Sequence, residues 1–338
     1  MKLSTGPAWL RLAAASLLAL AGATVQAATL RIATLAPDGT AWMREMRAGA
    51  DAVKQKTDGR VEIKYFPGGV MGDSQTVLRK VKVGQLQGGA FTAGELSEVA
   101  KDVQIYSLPF LFRNLDEVDR VRAQLDDAVE ASIRAAGFEP LGISGGGFAY
   151  LMSTRDLKSR DDLKAAKVWI PQGDKIAELA FRTAGITPIP LALSDVYTSL
   201  QTGLIDSAAN TTAGAIAFQW HTKLKYMIDL PLSYVTGVLV VDNKSWGRID
   251  EADRAIVSAE FAAVFKRLDA QNRLDNAAAL DALKQAGMRI NQPVAADGKS
   301  WESLGSESYQ ELIRQGGITP DMQKKLEAAL ASIRGGSR

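Results

Sequence analysis

Short apolar stretches typical of β-strands alternate with amphipathic helix patterns along this chain, and this alternation constrains the fold more than any other feature. Strand patterns occupy residues 30–35 and 61–66, and helix patterns follow them over residues 40–57 and 73–83. A run of small residues at 88–94 then has the character of a buried strand that opens into a loop. Because such alternation is typical of parallel sheets covered by helices, it predicts an α/β fold with largely parallel sheets.

The longest helical pattern runs over residues 250–286, where Asp250 can cap its start and Gly287 can end it. Charged side chains along this pattern exclude a transmembrane segment. A helix of this length in a globular protein either spans more than one core or contains a break. The chain of 338 residues is longer than one core usually serves, so we expect two lobes. Further helices are predicted over residues 301–314 and 320–334.

Residues 1–27 have the pattern of a secretory signal peptide. Lys2 and Arg11 supply the positive end, residues 12–25 form a short apolar run, and Val25-Gln26-Ala27 fits a small-residue cleavage site. A membrane anchor is the alternative, but the run falls short of the roughly 20 apolar residues that a spanning helix needs. A chain with Cys 0 also has no cysteine for lipid attachment. We therefore expect cleavage after Ala27, a periplasmic protein and no membrane insertion afterwards.

The composition argues against several kinds of chemistry. Cys 0 removes thiol nucleophiles and thiolate metal sites, and a single histidine, His221, disfavours a histidine metal cluster or a Ser-His-Asp triad. Lys2 and Arg11 account for two of the 40 basic side chains, so the chain after Ala27 balances 38 basic against 38 acidic groups, which gives no reason to expect nucleic acid. Glycines 145–147 lack the rest of a phosphate loop. We expect no enzyme activity, cofactor or metal, while a cation held by carboxylates and carbonyls is left open.

Residues 161–210 carry the strongest functional pattern in the chain. A Lys-x-x-x-Pro strand at 167–171 is followed by a Val-Tyr-x-x-Leu-x-x-Gly helix at 196–203 and by Asp206, and the segment ends at Asn210. This combination resembles the ligand-gripping lobe of the periplasmic solute receptors of tripartite ATP-independent periplasmic (TRAP) transporters, the family named for dicarboxylate uptake.

The resemblance implies an α/β fold of the two-lobe, clamshell type found in periplasmic binding proteins. Each lobe would be a mixed sheet flanked by helices, and the long helix would span both lobes. With crossings near residues 145–147 and 233–237, the chain divides into lobe I, lobe II, a return to lobe I and a final part on lobe II, at residues 28–145, 146–236, 237–275 and 276–338. The resemblance also implies a receptor that binds a small molecule and delivers it to TRAP permease subunits in the membrane. We expect this receptor to be a monomer.

Trp169 stands where this family usually has an arginine that clamps the carboxylate of the ligand. Because side chains alternate along a strand, Val168 and Ile170 share one face, and Trp169 points either into the cleft or under a helix. The resemblance favours the cleft. A second frequent arginine of the family follows Gly-Phe, and here the segment reads Gly147-Phe148-Ala149-Tyr150. An indole offers one donor and a wide apolar face, where a guanidinium offers five donors.

The remaining candidates for ligand contact are aromatic side chains or amides. Asn210 matches a family asparagine that contacts ligand, and the others are Trp42, Phe148, Tyr150, Trp220 and Gln172. Asp174 is expected mainly to cap the next helix. Residues 108–112, which also match the family, are expected to support the lobe without touching ligand.

The loss of both family cations favours a neutral, aromatic or largely apolar ligand. A carboxylate desolvated beside Trp169 without another cation would cost several kcal/mol. The first alternative keeps an ordinary organic acid of the C4-dicarboxylate kind and uses a different cation, from the set Arg31, Arg44, Arg155 and Lys167. The second is an envelope binding or sensing protein that has the same clamshell and no transporter.

Overall fold

The computed structural model describes residues 27–294 and 298–335, and the predicted signal peptide lies outside these residues except for Ala27. The strands are β1 (Ala28–Thr34), β2 (Val61–Phe66), β3 (Gly88–Thr92), β4 (Phe138–Ser153), β5 (Val168–Pro171), β6 (Ile189–Leu191), β7 (Ser207–Asn210), β8 (Tyr226–Asp242) and β9 (Arg289–Asn291). The helices are α1 (Ala41–Lys56), α2 (Ser74–Lys82), α3 (Ala93–Leu96), α4 (Leu115–Ala135), α5 (Arg160–Lys164), α6 (Lys175–Thr183), α7 (Val196–Thr202), α8 (Thr212–Ala217), α9 (Asn243–Trp246), α10 (Glu251–Gln285), α11 (Gly298–Arg314) and α12 (Pro320–Gly335). Short 3-10 helices occupy Lys101–Ser107, Leu193–Asp195 and Trp220–Thr222.

Local signals set the bounds of the first helices. Thr40 Oγ1 accepts a hydrogen bond from Met43 N at 3.3 Å, and Asp73 Oδ1 accepts one from Thr76 N at 2.8 Å, so α1 and α2 each begin at the next residue. The predicted strands and helices of this part of the chain are confirmed to within two residues. Within residues 27–294 and 298–335, no helix combines the length and apolarity needed to cross a membrane.

The strands form one mixed sheet in the order β2-β1-β3-β8-β4-β7-β5-β6, and β9 pairs with β8. The long strands β4 and β8 pair antiparallel along most of their length and connect two parallel groups, β1 to β3 and β5 to β7. We call β1, β2, β3 and the adjoining halves of β4 and β8 the first lobe, and the remaining strands and halves the second lobe. The predicted mixed α/β architecture is confirmed, although hydrogen bonds join the two lobes through one continuous sheet.

Each lobe buries apolar side chains on both faces of its sheet. In the first lobe, Val238 and Val240 of β8 belong to one core, while the alternating Leu239 and Val241 belong to the core on the opposite face. Leu151 and Met152 of β4 divide in the same way between two cores of the second lobe. Each lobe is therefore a sheet between two layers of helices.

Helix α10 spans both lobes, as predicted. Phe261 and Leu268 pack in the first lobe, and Leu283 packs in the second. Where the helix passes the junction, Asn276 Nδ2 donates to the carbonyl oxygen of Gly146 at 2.7 Å. The neighbouring Gly147 has a φ of 109° at a shift in the β4–β8 register, so the backbone there requires glycine.

The C-terminal helices lie across both lobes. Helix α11 begins in the second lobe, where Trp301 and Leu304 are buried, whereas α12 packs in the first lobe against α4. Arg334 near the end of α12 forms two hydrogen bonds of 3.0 Å with the carboxylate of Glu117 in α4. The assignment of all residues 276–338 to lobe II was therefore wrong for α12. An amphipathic helix packs wherever its apolar stripe finds a core, and its place in the sequence does not fix which one.

Candidate functional site

A cavity of about 390 Å³ lies between the two lobes and continues into the second lobe. The last residues of four strands line it, namely Thr34 of β1, Thr92 of β3, Pro171 of β5 and Asn210 of β7. Because the carboxyl ends of these strands meet at one place, the cavity occupies the position where α/β sheets bind ligands. Its volume is in the range of sites for small molecules.

Trp169 lines the cavity from β5 and is also packed in the second lobe. Its side chain is almost completely buried, and its ring meets that of Trp220 edge to face at 5.2 Å between centroids. The indole Nε1 donates to the carbonyl oxygen of Leu191 at 3.0 Å. Since this is the only donor of the indole, Trp169 presents only apolar surface to the cavity.

Strand β4 contributes to the cavity through side chains that were not predicted. Ala149 and Leu151 line it, whereas Phe148 and Tyr150 point to the opposite face of the strand. Phe148 packs against Tyr234 at 5.4 Å between ring centroids. Tyr150 packs against the second-lobe core that contains Trp169 and Trp220. The two predicted aromatic walls are therefore absent from this part of the cavity.

The other aromatic and amide candidates divide between the cavity and its surroundings. Trp42 of α1 lines the cavity. Trp220 does not, because it is buried behind Trp169 and packs between that ring and Phe218. Gln172 lies outside as well, in a shallow surface depression beside Asp73.

Asn210 lines the cavity at the end of β7, and contacts with the following turn fix the position of its side-chain amide. Its Oδ1 accepts a hydrogen bond from Thr211 N at 2.8 Å. A Cβ atom at Gly214 would lie 2.2 Å from this oxygen, so only glycine leaves room for the amide. No hydrogen bond joins Asn210 Nδ2 to any described residue, and a ligand acceptor could therefore use this donor.

Residues 109 and 110 line the cavity, whereas residues 108–112 were predicted to support the lobe without touching ligand. Phe110 N donates to the carbonyl oxygen of Leu232 at 2.7 Å, and its φ of 54° turns the chain at this point. The Phe110 ring lies 5.7 Å from that of Trp301, which also lines the cavity. The family-like motif marked this segment, but its contact with a helix far along the chain has no local signal.

Residues 32–315 match the family described as bacterial extracellular solute-binding protein, family 7. The chain belongs to this family. This solute-binding protein is 27% identical over 215 residues to the uncharacterized protein YiiZ of Salmonella typhimurium, covering 62% of this chain and 65% of the relative. It is 22% identical over 268 residues to the C4-dicarboxylate-binding periplasmic protein DctP of Rhodobacter capsulatus, covering 78% of this chain and 80% of the relative. A TRAP periplasmic solute-binding protein of Desulfovibrio salexigens with bound orotic acid matches its structure with a TM-score of 0.83 at 22% identity, covering 90% of this chain and 99% of that one.

Membership of this family makes the protein a solute-binding receptor rather than an enzyme, as predicted. The match to the solved structure confirms the two-lobe fold. Among the residues that the structure describes, no group of three or more histidine, aspartate and glutamate side chains is placed to hold a metal ion.

The electrostatic character of the cavity is acidic. Glu95 and Asp174 line it, and none of its described lining residues is lysine, arginine or histidine. Glu95 closes a capping box by accepting a hydrogen bond from Thr92 N at 2.8 Å. Asp174 Oδ1 accepts one from Ala177 N at 2.9 Å, which confirms its predicted role as the cap of α6. A cavity with this charge opposes the entry of a carboxylate.

Asp174 also faces the first lobe across the junction. A Cβ atom at Gly94 would lie 2.6 Å from Asp174 Oδ2, so the carboxyl group fits only against glycine. Burial raises the pKa of Asp174 to about 6, opposed by the bond from Ala177 N, and the charge of Glu95 adds to the rise. Near neutral pH the solute-binding protein therefore holds one partly desolvated carboxylate at its cavity wall.

The four cations considered as replacements for the family arginine do not line this cavity. Each donates to a protein group elsewhere: Arg31 Nε to Gln87 Oε1 at 3.0 Å, Arg44 Nη1 to Gly39 O at 2.6 Å, Arg155 Nη1 to Ala165 O at 2.6 Å and Lys167 Nζ to Gly203 O at 2.9 Å. Lys167 directly precedes β5, at the end of the strand away from the cavity. It alternates with Trp169 along the strand, but a shared face does not bring it to the cavity wall.

Proposed function

We propose that this protein is a periplasmic receptor, exported with a signal peptide cleaved after Ala27, that delivers a small organic molecule to a TRAP-type permease. Family membership and the two-lobe fold support this role, and the matched solved structure is named as a TRAP receptor. Ligand bound between the lobes would favour the closed form, and the permease would recognise that form. The receptor would act as a monomer.

We further propose that its ligand carries no carboxylate and is neutral, with aromatic or apolar character. The observation that carries this proposal is a cavity wall with Glu95 and Asp174 and, among described residues, no cation. A carboxylate placed there would stay unpaired and meet like charge, at a cost of several kcal/mol.

Two of the similar proteins are named with acidic ligands, which contrasts with a cavity wall that has no cation among the described residues. DctP of Rhodobacter capsulatus is named for C4-dicarboxylates, and the Desulfovibrio salexigens receptor holds orotic acid. In this chain the position that we assign to the family arginine is Trp169, whose one donor is already used by Leu191. None of the alternative cations lines the cavity. Our assignment of Trp169 to the arginine position therefore supports a changed specificity.

The ligand can be identified by native mass spectrometry of freshly purified protein, followed by denaturation and analysis of the released compound. We expect a neutral compound whose affinity, measured by calorimetry, changes less than about twofold between low salt and roughly 0.5 M NaCl, a salt range in which exposed charge pairs are strongly screened. Release of succinate or a similar acid, bound with strong salt dependence, would refute the neutral specificity.

Trp169→Ala tests whether the indole in the cavity wall contributes to ligand binding. Removing the indole deletes apolar contact and opens the wall toward Trp220, so we expect affinity for the released compound to fall at least about thirtyfold. Trp246→Ala is the matched control, because Trp246 packs in the first lobe away from the cavity. Equal affinities of the Trp169→Ala protein and the wild type would contradict the proposal.

The transport role requires a separate measurement in cells. Deleting the gene should abolish uptake of the identified compound, and the wild-type gene should restore it. Unchanged uptake by the deletion strain, with binding by the purified protein intact, would instead indicate an envelope binding or sensing protein.

A further inference from the structure

The cavity extends beyond the cleft into the apolar interior of the second lobe. We call this extension the chamber, and it lies between the sheet and helices α6 and α11. Its walls are formed by Leu151, Ile228, Ala180, Ala184, Trp301 and Leu304. These side chains are apolar, and most belong to a single buried core of the second lobe.

The chamber exists because α6 presents small side chains to the sheet. Ala177 and Ala180 of α6 and Ala184 at its C-cap are spaced by three and four residues, so they lie on one side of the helix axis and all three line the cavity. The corresponding helix of the first lobe is α1, which joins the central strand β1 to the outer strand β2 as α6 joins β5 to β6, and it buries the larger Met43 and Met46. Protein interiors are close-packed, so space left beside three alanines is unusual unless another molecule fills it.

A polar atom in the chamber wall is left without a protein partner. Trp301 is 4% exposed, and its Nε1 is buried with no hydrogen bond to any described residue. A buried donor without a partner costs free energy, and native structures rarely keep one. The π face of an aromatic ring can accept such a bond weakly, so this donor suits an aromatic group at the end of a ligand tail in the chamber.

The two ends of the cavity differ in chemistry. The cleft end carries the free amide donor of Asn210 together with Thr92 and Asp174, whereas the chamber has no charged side chain among its described walls. We propose that the chamber binds the apolar tail of an amphipathic ligand whose uncharged polar head lies beside Asn210, an inference that rests on the proposed function. The receptor would thus select an elongated molecule rather than a compact one.

A series of neutral probes of increasing length tests the chamber. Benzamide, 3-phenylpropanamide and 5-phenylpentanamide share one head, and calorimetry on the mature chain should show affinity that rises about fourfold for each added methylene that becomes buried. The matching phenylalkanoates form a second series. A dependence on length seen only with the acids would uphold the chamber and refute the neutral head, whereas affinity independent of length in both series would refute the chamber.

Ala180→Leu fills the chamber from α6. We expect affinity for 5-phenylpentanamide to fall at least about thirtyfold while affinity for benzamide changes less than about threefold. Ala262→Leu makes the same change on the exposed side of α10 and should leave both affinities unchanged. An equal loss for both probes in the Ala180→Leu protein would overturn the proposal.

Leu304→Ala changes the chamber in the opposite direction and does not depend on the Ala180→Leu protein being folded. Leu304 is buried in α11 at the chamber wall, so its truncation lengthens the space. We expect the enlarged protein to prefer 7-phenylheptanamide over 5-phenylpentanamide by at least about threefold more than the wild type does. An unchanged preference would count against the chamber as the site of the tail.

Discussion

Asp174→Asn isolates the effect of a carboxylate placed at the wall of an apolar cavity. Asparagine and aspartate are equally good N-caps, so the bond from Ala177 N that starts α6 can be kept while the charge is removed. The substitution therefore tests desolvation separately from helix capping.

The expected size follows from the pKa of Asp174. Burial raises it from 3.8 to about 6, and each pKa unit corresponds to about 1.4 kcal/mol, so ionised Asp174 destabilises the folded state by about 2 to 3 kcal/mol. The folded pKa is higher than the unfolded pKa, so the folded state binds the proton more tightly. The destabilisation is absent below pH 3.8, grows between about pH 4 and 6 and is complete above about pH 7.

Urea unfolding of the two proteins between about pH 4 and 8 measures this difference. We expect Asp174→Asn to match the wild type at about pH 4 and to have a free energy of unfolding higher by about 2 to 3 kcal/mol at about pH 8. Asp73→Asn is the matched control, because Asp73 also caps a helix but its bonds to Thr76 hold its pKa below the usual value. Its effect should be constant from about pH 5 to 8. A difference for Asp174→Asn that is independent of pH, or that favours the wild type under alkaline conditions, would refute the reasoning.

Two further substitutions test the binding amide and the docking of the last helix. Gly214→Ala would place a Cβ atom 2.2 Å from Asn210 Oδ1 and displace the amide, so calorimetry should show affinity for the released compound reduced at least about tenfold, and retained affinity would contradict this role for Asn210. Arg334→Ala leaves the carboxylate of Glu117, only 7% exposed, without its two-bond partner, so urea unfolding should show a loss of about 1 to 3 kcal/mol, with Arg334→Lys between the two. A loss below about 0.5 kcal/mol would show that the pair is compensated by other groups.

Features that depend on near neighbours in the chain were accessible from the sequence. Strand β2 and helix α10 follow from apolar periodicity, although Asp250, which precedes α10, makes no side-chain capping hydrogen bond. The capping role of Asp174 was also predicted, because a cap bonds to a residue three positions later. The motif at residues 167–210 pointed to the family, which the match over residues 32–315 confirms.

The residues of the cavity wall were harder to predict from the sequence. Phe148 and Tyr150 were expected in the wall, but β4 turns the alternate residues Ala149 and Leu151 toward it. The register shifts of β4 against β8 decide which face each residue occupies, and they depend on hydrogen bonds between segments far apart in the chain.

The sequence by itself determined the fold class, several of the strands and helices, and the family, because periodicity, capping and motif spacing are properties of consecutive residues. Only the tertiary structure decided that Trp169 uses its single donor on Leu191, that no arginine or lysine among the described residues reaches the cavity wall, and that Trp301 closes a chamber from the far end of the chain. These outcomes depend on which side chains meet across the sheet and between helices. Such meetings arise from long-range packing, and no local pattern in the sequence records them.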